Sequence, residues 1–183
     1  MTQTSSRRAQ KPTEPTQLRP RLTLDDLSAM SSAELDALYR SGRVPTDMTA
    51  LDNKPKGRML AIRGVSDTAL ARLIVPISKL GIFPWDGKSL TSTGTLTSDG
   101  INRIGVGRRF DLFPFKTRVE TSVIDGEPTI YLDYEQPGNP IFIRKIRDEL
   151  REVAPKLFLG PAMWKTGPSS AQLVLWFALD GNA

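Results

Sequence analysis

The sequence contains neither cysteine nor histidine. The absence of cysteine excludes disulfide bonds and thiolate nucleophiles, and the two absences together exclude zinc sites built from these residues. Without histidine there is also no histidine-ligated haem and no Ser-His relay. Any chemistry must therefore come from carboxylates, amines, guanidinium groups, hydroxyls and amides.

Long apolar runs are absent as well. The longest, at residues 173–179, has seven residues, whereas a membrane-spanning helix needs about 20. Ser6-Arg7-Arg8 resembles the start of a twin-arginine export signal, but Ala9-Gln10-Lys11-Pro12 follows where a long apolar stretch is required. We therefore expect a cytoplasmic protein with no membrane span.

Positive charge is concentrated near the beginning of the chain. The net charge is +5, and residues 1–22 hold five basic residues against Glu14 alone, a balance of +4 that leaves +1 for the rest. Three prolines and few apolar residues in this segment predict a disordered basic tail at residues 1–22. Residues 23–183 have the size of a single domain with an N-terminal helix. Because that domain is almost neutral, we expect no nucleic-acid partner.

Two segments have the pattern of amphipathic helices. A capping box at residues 31–34 precedes Leu35 and Tyr39, which lie at helical spacing, and Gly42 ends the pattern. Apolar residues at the same spacing predict a second helix at about residues 67–80.

Residues 115–134 predict a β-hairpin. Two alternating runs flank Asp125-Gly126, a favoured two-residue type I′ turn, which would place Val119 opposite Leu132. One face would then be apolar or hydroxyl-bearing, and we expect it to face inward: Phe115, Thr117, Val119, Thr121, Val123, Ile130, Leu132 and Tyr134. On the other face Arg118 would lie opposite Asp133.

Further strands are predicted at residues 58–63, 88–93, 101–106, 157–164 and 172–180. Residues 139–153 are ambiguous, because Asn139-Pro140 is typical of a helix start whereas the next residues would equally continue a strand. The count is therefore seven or eight strands. We predict a mainly β fold, an antiparallel up-and-down barrel or half-barrel with two or three short helices that plug one end.

Three stretches resemble a group of poorly characterised bacterial lipocalin-like (calycin-type) proteins: IRDELREVAPKLFLG at residues 146–160, WDGK at 85–88 and NR at 102–103. The resemblance covers about residues 35–180. It implies a β-barrel around a ligand cavity, and it brings no assigned catalytic residues. The glycine-x-tryptophan fingerprint of lipocalins does not occur.

Seven ionisable residues lie within nine positions: Arg144, Lys145, Arg147, Asp148, Glu149, Arg151 and Glu152. On a helix, Arg144 and Asp148 would form an i, i+4 pair on a solvated face. Alternatively, Arg147 or Arg151 would bind a ligand carboxylate at the barrel mouth, with Asp148 or Glu149 as acid or base. The sequence leaves both interpretations open.

A second candidate set consists of Lys88, Asn102 and Arg103. As ordinary structure, Asn102 suits a turn and Lys88 an exposed edge strand. As a site, Asn102 and Arg103 would donate hydrogen bonds to a ligand carbonyl at a pocket rim. The tryptophans are expected in the core or the barrel wall: Trp85, Trp164 and Trp176.

The first functional hypothesis is a module that binds an apolar or amphipathic small molecule in the barrel. A mixture of hydroxyls and aliphatics on the inward face suits a cavity with a few directional contacts. The candidate ligand-binding residues are Trp85, Asn102, Arg103, Thr117, Val119, Thr121, Ile130, Leu132 and Arg151. We expect neither a metal nor a cofactor.

Two other hypotheses remain open. One is a cofactor-independent cyclase or isomerase in the same cavity, with Arg147, Glu149 or Tyr134 as catalytic residues. The other is a protein-interaction domain whose basic tail orders on a partner. A cavity above about 300 Å³ would favour the small-molecule hypotheses, and an inward ionisable side chain would favour catalysis.

Overall fold

The computed structural model describes residues 21–62, 85–106 and 108–182. The helix predicted at residues 67–80 and all but the last two residues of the predicted tail lie outside these ranges. Eight antiparallel strands form a closed barrel in which each strand pairs with the next and the last closes against the first. This confirms the mainly β barrel predicted from the sequence. The strands are β1 (Lys56–Ile62), β2 (Trp85–Gly94), β3 (Thr97–Val106), β4 (Arg108–Thr121), β5 (Pro128–Asp133), β6 (Ile146–Ala154), β7 (Leu157–Gly167) and β8 (Ser170–Asp180).

The described helices are short: α1 (Leu24–Ser28), α2 (Ser32–Ser41), a 3₁₀ turn (Thr49–Leu51) and α3 (Ile141–Arg144). Helix α2 begins at the predicted capping box, where Ser31 Oγ accepts a hydrogen bond from the Glu34 amide and the Glu34 carboxylate accepts one from the Ser31 amide. None of the helices in the described ranges is long and apolar enough to cross a membrane.

The ambiguous segment, residues 139–153, contains both of the predicted elements. Pro140 precedes the one-turn helix α3, and the chain then enters β6 at Ile146. The barrel therefore has eight strands rather than seven. Because Asp148 lies in a strand, the predicted helical pair between Arg144 and Asp148 is wrong, and consecutive residues of the charged cluster lie on opposite sides of the sheet.

The predicted hairpin between β4 and β5 exists, but its predicted register is wrong by two residues. Val119 lies opposite Ile130 instead of Leu132, because the connection has four residues, 123–126, between the hydrogen-bonded Ser122 and Glu127. A shift of two residues keeps each side chain on its predicted face. The expected contact between Arg118 and Asp133 therefore survives as a diagonal ion pair of 2.7 Å.

Buried apolar residues form two clusters on opposite sides of the barrel wall. The interior cluster contains Leu90, Ile130, Leu132, Leu150, Phe158 and Leu179, together with Met48 and Leu51 at the 3₁₀ turn. The outer cluster joins α1 and α2 to the outward faces of β7 and β8: Leu24, Leu27, Leu35, Tyr39, Leu157, Leu159, Trp176 and Ala178. The expectation that helices plug one end thus applies to the 3₁₀ turn, whereas α1 and α2 cover the outer wall.

Candidate functional site

One end of the barrel contains a cavity of about 190 Å³. It lies where β6 begins and β7 ends, and α3 lies at its mouth with Phe142 41% exposed. Thirteen of the seventeen lining residues are apolar: Met59, Trp85, Ile104, Phe113, Phe142, Ile143, Ile146, Ala162, Met163, Trp164, Val174, Leu175 and Phe177. The other four are Lys88, Asn102, Tyr134 and Asp148, which we call the polar quartet.

The polar quartet forms one hydrogen-bonded network, and each member is at most 7% exposed. The Lys88 ammonium donates to Asn102 Oδ1 (2.8 Å), Tyr134 Oη (2.6 Å) and Asp148 Oδ2 (3.0 Å). Tyr134 Oη donates to Asp148 Oδ2 at 2.9 Å. Lysine and aspartate thus form a buried ion pair whose charges cancel at short range.

The oxygen and both N–H groups of the Asn102 side chain take part in the network. Its Oδ1 accepts from Trp85 Nε1 at 3.2 Å and from Lys88, while its Nδ2 donates to Tyr134 Oη and to the carbonyl oxygen of Phe113, both at 3.2 Å. The opposite orientation of the amide would turn its NH₂ group toward the indole N–H and the ammonium. The network therefore fixes one orientation of Asn102.

Asp148 Oδ1 is the exception in this network. Within the described ranges it has no hydrogen-bond partner, although it is buried and Asp148 lines the cavity. A buried carboxylate oxygen without a donor loses its hydration without compensation. The network therefore leaves one oxygen of this carboxylate without a donor among the described residues.

Burial also shifts the pKa values of Lys88 and Tyr134. It lowers the pKa of the Lys88 ammonium, although the nearby Asp148 carboxylate opposes this effect. Burial raises the pKa of Tyr134, and the charge of Asp148 raises it further. The Lys88 ammonium also lies 5.0–5.4 Å from the ring centroids of Trp85, Phe115, Tyr134 and Phe177, where aromatic faces stabilise the cation.

The backbone of β4 places two aromatic residues at the site. A register shift between β3 and β4 leaves Phe113 as an extra residue in the left-handed region (φ 60°), so its carbonyl reaches Asn102. Phe115 packs across Gly100 of β3, where a Cβ atom would lie 2.3 Å from its ring. The small residue thus makes room for a ring that packs against the Tyr134 ring, with centroids 5.3 Å apart.

Five of the residues considered in the sequence analysis as candidate site residues line the cavity: Trp85, Lys88, Asn102, Tyr134 and Asp148. The first three came from the strand segments around the WDGK and NR stretches, and Tyr134 came from the inward face of the hairpin. Asp148 came from the charged cluster.

Other residues of the predicted inward face lie elsewhere. Ile130, Leu132 and Thr117 are buried deeper in the barrel, where Ile130 and Leu132 belong to the interior cluster. Val119 is 38% exposed, and Thr121 is exposed as well. None of these five residues lines the cavity, because the cavity occupies the opposite end of the barrel from the β4–β5 connection.

Arg103 is buried but binds the backbone instead of the cavity. Its guanidinium donates to the carbonyl oxygens of Pro55, Asp86 and Lys88 at 2.6–2.9 Å. Three charge-assisted hydrogen bonds of this kind hold the start of β2 against the segment before β1. Arg103 therefore stabilises the junction between β2 and the segment before β1.

The remaining candidates of the charged cluster lie on the outer side of β6. Arg147 stacks on Tyr131 and pairs with Glu149 at 2.7 Å. Arg151 is 1% exposed and forms a bidentate pair with Asp125 at 2.7 and 2.8 Å. Because side chains alternate along a strand, the structure does not bring Arg147, Glu149 and Arg151 together with Tyr134 in the cavity.

Glu149 is held by four donors on the outer side of the barrel. It accepts hydrogen bonds from Tyr39, Ser122, the amide of Val123 and Arg147, at 2.5–3.1 Å. These hydrogen bonds link α2 and the β4–β5 connection to the barrel wall.

Sequence reasoning left Asp148 as one of several acid or base candidates. Once β6 is read as a strand, Ile146, Asp148 and Leu150 share one face, and a carboxylate between two aliphatic residues is the signal that would have selected it. The apolar mouth residues from β7, β8 and α3 carried no comparable signal, because only the closure of the barrel brings them together.

Comparison with known proteins gives a fold but no function. No family model and no curated protein matches the chain. A crystal structure of a protein from Thermomonospora curvata is similar, with a TM-score of 0.53 at 18% identity over 82% of this chain and 87% of that chain. At this identity the similarity shows that the two chains share the barrel fold, and nothing more.

Proposed function

We propose that the protein binds a compact apolar or amphipathic small molecule in the barrel cavity. The observation that carries this proposal is the cavity itself, whose lining combines thirteen apolar residues with the polar quartet. Apolar walls with a few convergent polar groups are typical of ligand sites.

The size of the cavity limits the ligand. At about 190 Å³ it is smaller than the size of about 300 Å³ expected of sites for drug-sized molecules. An engineered apolar cavity of about 150 Å³ accepts benzene, so a single ring with a short substituent fits inside. A longer chain would extend through the mouth past the partly exposed Phe142 and Met59.

Native mass spectrometry of the protein purified without detergent tests this proposal. We expect a bound mass that organic extraction removes, or binding of an added small aromatic such as 4-ethylphenol. The variant Ala162→Phe adds a ring to the cavity lining and should abolish either signal. Ala33→Phe adds the same ring to the exposed side of α2 and should leave the signal unchanged.

Two results would contradict the proposal. One is a protein that carries no small molecule and takes up no small aromatic at millimolar concentration. The other is a bound mass that Ala162→Phe and Ala33→Phe retain equally, because the ligand would then lie outside the cavity.

A second candidate function is a cofactor-independent isomerase, because the ionisable side chains of Lys88, Tyr134 and Asp148 line the cavity. In that function the Asp148 carboxylate would remove a proton next to a ligand carbonyl and return it further along the molecule. The donors of Lys88, Tyr134 and Asn102 are engaged within the quartet, however, and none is left for an enolate oxygen. We therefore expect no acceleration of the conversion of 3-cyclohexenone to 2-cyclohexenone over buffer, and a clear acceleration lost in Asp148→Asn would favour the enzyme.

The proposal also concerns the type of barrel and the location of the protein. The lipocalin-like resemblance of residues 35–180 supports a ligand-carrying barrel, and we propose a cytoplasmic location on the sequence pattern of residues 1–22. A protein-interaction role for the basic tail would be favoured by a barrel filled throughout, whereas this barrel holds a cavity at one end.

A further inference from the structure

We infer that the cavity takes the hydrocarbon part of its ligand and offers no hydrogen bond to a polar group, so that a hydroxyl or carboxylate of the ligand stays at the mouth. This inference rests on the proposed small-molecule function and specifies the ligand class. It follows from how the polar quartet uses and shields its own polar atoms.

The donors of the quartet are already used. An ammonium has three N–H donors, and Lys88 has three acceptors at 2.6–3.0 Å. The single O–H of Tyr134 points to Asp148, and both N–H groups of Asn102 are engaged. A ligand carbonyl or carboxylate would therefore find no free donor in the quartet.

The acceptors of the quartet are used or shielded as well. Tyr134 Oη receives hydrogen bonds from Lys88 and Asn102, and Asn102 Oδ1 receives them from Lys88 and Trp85. Asp148 Oδ2 accepts from Lys88 and Tyr134. Asp148 Oδ1 has no partner among the described residues, but it has almost no accessible surface of its own. A ligand hydroxyl inside the cavity would therefore find no acceptor in the quartet that is both free and within reach.

Aromatic rings enclose the charged end of Lys88. Its ammonium lies 5.0–5.4 Å from four ring centroids, and its side chain is 3% exposed. Two of these rings, Trp85 and Phe177, also line the cavity. A ligand therefore contacts ring surfaces beside an ammonium whose hydrogen bonds are all made.

This arrangement favours hydrocarbon over polar groups inside the cavity. A hydroxyl taken into it would lose its hydration without gaining a partner, whereas an apolar group gains from leaving water. An ionic group would lose more, because Lys88 and Asp148 already compensate each other at 3.0 Å. The quartet thus closes the inner end of the cavity without recognising a polar ligand.

The mouth continues the apolar surface outward. Met59 and Phe142 line the cavity and are partly exposed, and Ile141 precedes Phe142 in α3. Phe110 lies opposite the cavity-lining Ile104. Six large apolar side chains are exposed in the described ranges, and five of them lie at this end of the barrel: Met59, Phe110, Leu112, Ile141 and Phe142. A ligand longer than the cavity therefore keeps apolar contacts at the mouth, where a polar end reaches water.

Three probes of nearly the same shape test the inference on the wild-type protein: 4-ethyltoluene, 4-ethylphenol and 4-hydroxybenzyl alcohol. The first has no hydroxyl, the second has one that can turn to the mouth, and the third has one at each end, so that one must lie inside. Isothermal titration calorimetry at pH 7 should give the lowest dissociation constant for 4-ethyltoluene. The constant for 4-hydroxybenzyl alcohol should be at least about tenfold higher than that for 4-ethylphenol.

Two outcomes on the wild-type protein would overturn the inference while leaving the small-molecule function in place. One is a loss of less than about tenfold between 4-ethylphenol and 4-hydroxybenzyl alcohol. The other is tighter binding of 4-ethylphenol than of 4-ethyltoluene. If none of the three probes binds, the proposed function fails with the inference.

Variants show whether the quartet or the cavity wall decides the result. The double variant Lys88→Met/Asp148→Leu removes the charged atoms and should leave the ratio of the two hydroxyl-bearing probes unchanged, because these atoms do not contact the ligand. A ratio that rises about tenfold in this variant would mean that the ion pair binds the inner hydroxyl, and the inference would be wrong. Ala162→Phe should abolish 4-ethyltoluene binding and Ala33→Phe should retain it; equal binding by both variants would place the hydrocarbon outside the cavity and contradict the inference.

Discussion

At the residue scale, the side of the sheet on which a carboxylate lies decides its role. Asp148 and Glu149 are neighbours in sequence and both are buried, yet Glu149 accepts four hydrogen bonds on the outer wall while Asp148 faces the cavity with one oxygen unpartnered among the described residues. The residue type alone predicts neither outcome, because it depends on the alternation of a strand.

The buried ion pair of Lys88 and Asp148 leads to a prediction for stability. Lys88→Met leaves a buried carboxylate without its counter-charge and should lower the free energy of unfolding by about 3–5 kcal/mol. Asp148→Leu should cost a similar amount, because it leaves a buried ammonium. The double variant should come within about 1–2 kcal/mol of the wild type, because apolar side chains of similar volume replace a buried pair at little cost.

Urea denaturation of the four proteins measures this coupling. Lys88 and Asp148 also form hydrogen bonds with Asn102 and Tyr134, so the coupling energy of the cycle covers the ion pair together with these hydrogen bonds. A double variant as unstable as the sum of the two single variants would mean that the two side chains do not stabilise each other.

At the scale of the elements, local patterns predicted which segments pair but not how each connection closes. The capping box placed α2 correctly because its hydrogen bonds are confined to neighbouring residues. The turn at Asp125-Gly126 was predicted with two residues and has four, because β6 holds it from a distance: Glu149 binds Ser122 and the amide of Val123. Turn preferences depend on neighbouring residues. They therefore do not include contacts between residues about 26 positions apart.

The same connection predicts a pH dependence. The hydrogen bond from Arg151 lowers the pKa of Asp125. Because the folded-state pKa is below the unfolded value of about 3.9, the pair stabilises the fold above that value and loses its effect as the pH falls through the lower folded value. Asp125→Asn should therefore reduce the free energy of unfolding by about 3 kcal/mol at pH 7, and the difference from wild type should shrink below about pH 4.

Urea denaturation at pH 7, 5, 4 and 3 checks this dependence. Asp111→Asn, at an exposed position on β4, serves as the control and should leave stability almost unchanged across the series. A difference between Asp125→Asn and wild type that persists undiminished at pH 3 would show that the stabilisation does not depend on the charge of Asp125.

At the scale of the whole molecule, the sequence predicted the barrel but not the position of its cavity. Alternation along the hairpin correctly placed Ile130 and Leu132 inside. It could not reveal that these residues fill one end, with Met48 from the 3₁₀ turn, while the cavity lies at the other. That division follows from strand stagger and closure between β1 and β8, which no single segment encodes.

The two apolar clusters on opposite sides of the barrel wall predict that stability and ligand binding respond to different substitutions. Leu35→Ala creates a void beneath α2 and should lower the free energy of unfolding by about 2–5 kcal/mol, with 4-ethylphenol affinity unchanged because the residue lies outside the barrel. Phe142→Ala removes a partly exposed ring from the mouth and should weaken ligand affinity with little loss of stability. Urea denaturation and calorimetry on both variants separate the effects; a Leu35→Ala protein that is folded but binds the phenol more weakly would mean that the outer cluster shapes the cavity.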